Sequence, residues 1–140
     1  MISVGDALHP HSLANQGCEV LLKIGCFNIR GFKRNNLYVH QLLDSLDVFA
    51  ISEHWLHSFD LHCLQNCHDD FCALSSSTLT VEDSATCTPQ YIRGSGGVAL
   101  FWRKSLSDHI KKRNDLCNDR FVVVHLLSPV RSLCICAVYL

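Results

Sequence analysis

Two short apolar runs separated by a helical stretch constrain this chain more than any other feature. Residues 20–27 (Val-Leu-Leu-Lys-Ile-Gly-Cys-Phe) have the length and composition of one buried strand, and they end at Asn28. Residues 47–52 read as a second buried strand, which ends at Glu53. Between them, Val39, Leu42, Leu43 and Leu46 recur at helical spacing within residues 37–46, with Asn35 or Asn36 as the N-cap. Strand, helix, strand is a βαβ unit. If its strands are parallel neighbours, the crossover is right-handed and both end at one sheet edge. Asn28 and Glu53 then share the edge where open α/β sheets usually hold ligands.

The rest of the chain fits one α/β domain. Its 140 residues are 48% hydrophobic and 18% charged, which is globular material. A formal charge of -1 excludes a grip on nucleic acid driven by bulk charge, so any such contact must come from local basic patches. No run reaches the ~18 apolar residues of a membrane span. Residues 1–19 read as a loose leader without a secretory pattern, and the nine cysteines are expected as free thiols. Ser58 is positioned to cap a short helix over residues 60–67, and residues 75–89 read as a long surface loop. Gly94-Ser95-Gly96-Gly97 forms a hinge before a strand over residues 98–102. A hairpin follows, with strands over residues 120–127 and 133–140. It sets Tyr139 opposite Phe121, on the face of Ile135 and Ala137. The last strand runs to Leu140 without a turn signal, so we expect a truncated piece of a longer domain.

Four segments carry a resemblance. They are Lys23-Ile24-Gly25-Cys26-Phe27-Asn28-Ile29-Arg30-Gly31, Ile51-Ser52-Glu53-His54-Trp55-Leu56, Gly94-Ser95-Gly96-Gly97-Val98-Ala99-Leu100-Phe101-Trp102 and Ala137-Val138-Tyr139-Leu140. In this order they resemble the N-terminal half of the endonuclease/exonuclease/phosphatase superfamily, nearest to the abasic-site-endonuclease-like domain of non-LTR (LINE-type) retrotransposons. The resemblance covers about residues 20–140. It implies a DNase I-like four-layer α/β/β/α sandwich, here truncated, and Mg²⁺-dependent (or Mn²⁺-dependent) phosphodiester hydrolysis that nicks DNA. It also implies roles for three residues. Asn28 contacts metal or phosphate, Glu53 is the metal-binding glutamate, and Tyr139 sits at the scissile phosphate. A hard cation held by few carboxylates, water and phosphate oxygens suits those residue types. The family's Asp-x-Asn pair, its later aspartate and its Ser-Asp-His motif follow the tyrosine. They are absent from these residues, so we expect no nuclease activity from them. Alternatives are a catalytically dead retroelement relic or another superfamily member, such as a phosphatase or deadenylase. An intact parent acting on chromosomal DNA would be nuclear.

Two further groups invite chemistry. Arg30, Lys33 and Arg34 follow the first strand. Each alone is an ordinary solvated cation, but together they could hold the phosphates of a nucleic acid beside the metal. His54, His57, His62, Cys63, Cys67, His68 and Cys72 raise the question of zinc. Their spacing lacks the two close ligand pairs of a structural site, which argues against it. Cys134 and Cys136 alternate in a strand, share one face and are expected to pack as small hydrophobes.

Overall fold

The structure, a computed structural model, describes residues 2–5, 19–78, 96–129 and 131–140. Its elements follow in chain order. Strands β1 (Ile2–Gly5), β2 (Glu19–Leu22) and β3 (Ile24–Asn28) lead to helix α1 (Phe32–Ser45) and strand β4 (Val48–Ser52). A 3₁₀ turn (Ser58–Asp60), helix α2 (His62–Gln65), and strands β5 (Phe71–Ser76) and β6 (Val98–Arg103) come next. A second 3₁₀ turn (Lys104–His109) precedes strands β7 (Ile110–Lys112), β8 (Phe121–Leu126) and β9 (Leu133–Val138).

The βαβ unit forms as the periodicity predicts, but its first strand is not buried: Ile24, Cys26 and Phe27 are exposed at the sheet's edge. β3 and β4 are parallel neighbours in register, Ile24 against Val48 and Asn28 against Ser52. β6 then pairs antiparallel with β4, and β5 with β6, giving a four-stranded sheet in the order β3-β4-β6-β5. The alternation of side chains across this sheet makes two cores. Phe49 and Ile51 of β4 and Ala99 and Phe101 of β6 face α1, where they pack with Val39 and Leu43. Val48 of β4 and Val98, Leu100 and Trp102 of β6 face the second sheet, β7-β8-β9, where they meet Val122, Val124, Leu126 and Ala137. The described residues thus stack as helix, sheet and sheet.

Several expectations are corrected. The first apolar run is two strands, broken at Lys23, because Asp47 takes both backbone groups there. The Lys23 N–H donates to Asp47 Oδ2 at 2.8 Å, and the Lys23 carbonyl accepts from the Asp47 N–H at 2.8 Å. Residues 2–5, read as part of a loose leader, form β1 and pair antiparallel with β2. Helix α1 starts at Phe32, earlier than its apolar stripe suggests, with Gly31 at the N-cap. Asn35 does not cap. Its Nδ2 donates to the carbonyls of Ile29 and Gly31 at 2.7 and 3.1 Å, tying the first turn to the end of β3. Ser58 makes no side-chain cap, and the helix after it is only His62–Gln65.

Strand β5 occupies residues read as irregular and the start of the proposed surface loop. It is a short edge strand whose Phe71 and Ala73 face one core and whose Cys72 and Leu74 face the other. The remainder of that loop and Gly94-Ser95 lie outside the described residues. In the hairpin, Tyr139 shares the core-facing side with Ile135 and Ala137. The pairing is one residue off the expectation, though, with Phe121 opposite Val138. The connection spans residues 127–132, longer than the expected five-residue turn. Cys134 and Cys136 share a face but are exposed rather than packed, because no described element covers the outer side of the second sheet. All seven described cysteines are free thiols. Among the described residues, no helix is long and apolar enough to cross a membrane.

Candidate functional site

Five chain segments converge on one edge of the molecule: the exits of β3, β4, β5 and β9, and the entry to β6. The parallel pairing of β3 and β4 puts Asn28 beside Ser52, one residue short of Glu53. Hydrogen bonds continue beyond the strands. Ile29 N–H donates to Ser52 O at 3.0 Å, Gly31 N–H to Glu53 O at 2.8 Å and Phe32 N–H to His54 O at 2.9 Å. The exit of β4 is thereby laced to the start of α1.

The backbone at this edge is strained. Arg30, Glu53 and Trp55 have φ of 45°, 56° and 56°, and no other described non-glycine residue has positive φ. Each left-handed non-glycine residue costs about 1–3 kcal/mol unless neighbours enforce it, and such residues cluster at functional sites. The enforcing bonds are the ladder above and the Trp55 N–H to Gly96 O bond at 3.1 Å.

His54 forms the wall behind Glu53. It is 1% exposed, and both ring nitrogens are used. Nδ1 accepts from the Leu56 N–H at 3.0 Å, which leaves Nε2–H to donate to Ser76 O at 2.8 Å. Burial pushes this imidazole below its ordinary pKa of 6.5, against smaller opposing effects of the Ser76 and Val98 backbone bonds. His54 is therefore a neutral brace between the ends of β4 and β5. Ser77 Oγ adds a bond to Leu56 O at 2.6 Å. Gly97 permits the brace: at φ 84° its missing Cβ would overlap the His54 ring.

The predicted site residues fall as follows. Asn28 is exposed, and its Oδ1 accepts from the Arg30 N–H at 3.3 Å. Glu53 is half-buried, and its carboxylate has no hydrogen bond or ion pair among the described residues. Tyr139 follows β9, held by its N–H to Arg120 O at 2.8 Å, and its ring lies against Gly96. It therefore reaches the edge to which Gly96 ties Trp55. A cleft of about 440 Å³ opens between the two sheets, lined by Asn28 and Ser52 on one side and Ala137 and Val138 on the other. Glu53 does not line that cleft.

The basic residues are placed differently from the expectation. Only Arg30 is in the turn; Lys33 and Arg34 lie in the first turn of α1. Lys33 Nζ is paired with Asp60 Oδ2 at 2.7 Å. Arg103 is structural, with Nε on Asp47 Oδ1 at 3.1 Å. The His/Cys segment is scattered. His54 and Cys67 are buried, and burial pushes the Cys67 thiol up to about 11. No group of three or more His, Cys, Asp or Glu side chains with metal-binding geometry occurs among the described residues. Reading the sequence missed the bracing role of His54. The available signal was the Gly-Gly pair ahead of β6, a mark of close backbone approach.

A family profile, the Endonuclease/Exonuclease/phosphatase family, matches residues 25–140. The chain belongs to this family. Its members are phosphodiester-cleaving nucleases or phosphatases, and its enzymes generally depend on a divalent metal. Among curated protein sequences none matches. The fold is similar to the crystal structure of the AP endonuclease LMAP from Leishmania major, with a TM-score of 0.59 and 13% identity. That superposition covers 84% of this chain and 40% of the Leishmania protein, so the chain spans well under half of that enzyme. The catalytic domain of human Nocturnin, solved with a sulfate anion, overlaps at a TM-score of 0.45 and 13% identity, covering 82% of this chain and 48% of that one.

Proposed function

We propose that this chain carries the metal-holding part of a DNA-nicking endonuclease domain of the non-LTR retrotransposon type. The observation that supports it most is the side-by-side exit of β3 and β4, which brings to one strained edge an amide oxygen and a carboxylate that has no partner among the described residues. Asn28 and Glu53 are hard oxygen donors and fit part of the coordination sphere of Mg²⁺ or Mn²⁺. When bound, such an ion polarises the phosphoryl oxygen and offsets charge that develops on it. Glu53 would hold the ion by its carboxylate, and Asn28 would contribute an oxygen lone pair to ion or phosphate. Tyr139 meets the scissile phosphate from the β9 side. Arg30, Lys33 and Arg34 position the backbone of the DNA without reading bases. A helical layer on the bare outer side of β7-β8-β9 would complete the four-layer sandwich.

The described edge offers Glu53, Asn28 and Tyr139, and no group of three or more His, Cys, Asp or Glu side chains that could hold a metal ion occurs among the described residues. The 140 residues by themselves are therefore expected to bind Mn²⁺ without nicking DNA. Titration of Mn²⁺ by electron paramagnetic resonance tests the reading. Glu53→Ala is expected to weaken binding by about tenfold or more, the scale of losing a metal-site interaction. Mn²⁺ binding untouched by Glu53→Ala overturns it. Mg²⁺-dependent nicking of supercoiled plasmid by the chain, abolished in Glu53→Ala, would overturn only the inactivity.

A further inference from the structure

We infer that Phe59, stacked on His57, is a platform for an unpaired nucleobase beside the strained edge. This rests on the reading that the edge handles a nucleic-acid phosphodiester. Three observations carry it. First, the His57 and Phe59 rings are parallel, with centroids 5.1 Å apart and planes inclined by only 5°, and Phe59 is 58% exposed. One face of its ring is therefore backed by a second ring while much of the side chain stays open to solvent.

Second, the turn that presents Phe59 is pinned. Asp60 N–H donates to His57 O at 2.9 Å, and His62 Nδ1 bonds Phe59 O at 2.9 Å. Asp60 Oδ2 accepts from Lys33 Nζ at 2.7 Å, and Leu61 packs on the core. An isolated exposed apolar side chain needs no explanation, but an aromatic ring carried on a pinned turn and already stacked on one face loses little freedom on binding. Beneath it, His57 Nδ1 is buried with no hydrogen-bond partner among the described residues, so the stack is not maintained by a polar contact at that atom.

Third, the Lys33–Asp60 pair brings this turn against the first turn of α1, where Lys33 is 66% exposed and Arg34 follows. Lys33 is held by Asp60, so the phosphate contact falls first to the exposed Arg34. An aromatic face with a cation on the neighbouring element is the combination that binds single-stranded nucleic acid, with bases on the ring and phosphates on the charge. A base-paired duplex keeps its bases stacked internally, so the platform selects an unpaired or extruded base.

The test uses the full chain and fluorescein-labelled 12-mers in low salt, read by anisotropy. One probe is oligothymidylate; the other is an abasic oligomer of the same length and charge. Wild type is expected to bind oligothymidylate about tenfold tighter than the abasic strand, as one stacked base supplies. Phe59→Ala is expected to erase that difference while leaving the abasic affinity unchanged, and Phe59→Tyr to keep it. Equal affinity of wild type for both strands, equal loss of both in Phe59→Ala, or no binding of oligothymidylate overturns the platform. Mn²⁺ titration of the wild type separates this from the metal reading. A base preference that survives with no Mn²⁺ binding in wild type leaves the platform standing and the metal site fallen.

Discussion

The four-stranded and three-stranded sheets share one core and differ in what covers their other faces. In the first, β6 is buried from Val98 through Trp102, because a helix covers one face and a sheet the other. In the second, β9 alternates, with Ala137 buried and Cys134, Cys136 and Val138 exposed. The chemistry-bearing edge joins the covered β4 and β6 to β3, whose Ile24, Cys26 and Phe27 are exposed. Strain at Arg30, Glu53 and Trp55 persists only where surrounding structure over-determines the backbone, and the first sheet supplies that surround.

The largest test of this contrast is truncation of core side chains. Phe101→Ala on β6 should cost about 3–5 kcal/mol, measured by urea unfolding, as a buried aromatic removed from a filled site. A cost below about 1 kcal/mol would mean that the first sheet is not filled as described. Gly97→Ala comes next, at about 3 kcal/mol, since it combines left-handed backbone with overlap on His54. If Gly97→Ala is tolerated, the His54 brace is not rigid.

Acid should then act on the same brace. The unfolded chain protonates His54 near 6.5, whereas burial holds the folded ring lower. Unfolded protein therefore binds more protons in the window between those two values. The His54 contribution is complete above about pH 6.5 and is lost as pH falls through that window toward the folded-state value. His54→Gln is expected to flatten the fall in stability between pH 7 and pH 5, and an unchanged slope would remove His54 from the account.

The smallest effects belong to the second sheet's outer side. Cys134→Ser and Cys136→Ser should change stability by no more than about 0.5 kcal/mol. In the same chain a disulfide reagent should label the exposed thiols of Cys26, Cys134 and Cys136 before Cys67, since Cys67 is both enclosed and held in its protonated form. Fast labelling of Cys67 would contradict its place in the core.

The legible parts of the fold were those encoded over short distances. Val39 and Leu43 announced the buried stripe of α1, and both are fully enclosed. The run before Arg103 announced β6. The parts that escaped depend on distant partners. Nothing local marks residues 71–76 as a strand, since only the neighbouring β6 makes them an edge. The hairpin register slipped by one because turn length sets it, and composition does not fix that length. Nor does a helical stripe say where its helix begins: Lys33 and Arg34 precede the stripe yet lie inside α1.

What the sequence determined by itself is the βαβ unit and hence the meeting of the Asn28 and Glu53 strand ends. Hydrophobic period is a local property, and a parallel crossover has essentially one hand. What only the tertiary structure decided is how that meeting is enclosed. The insertion of β6 beside β4, the His54 ring wedged over Gly97, and Tyr139 laid against Gly96 all require close approach between segments far apart in the chain. Such approaches depend on sterics and on the satisfaction of buried polar groups in three dimensions, which no window of residues contains.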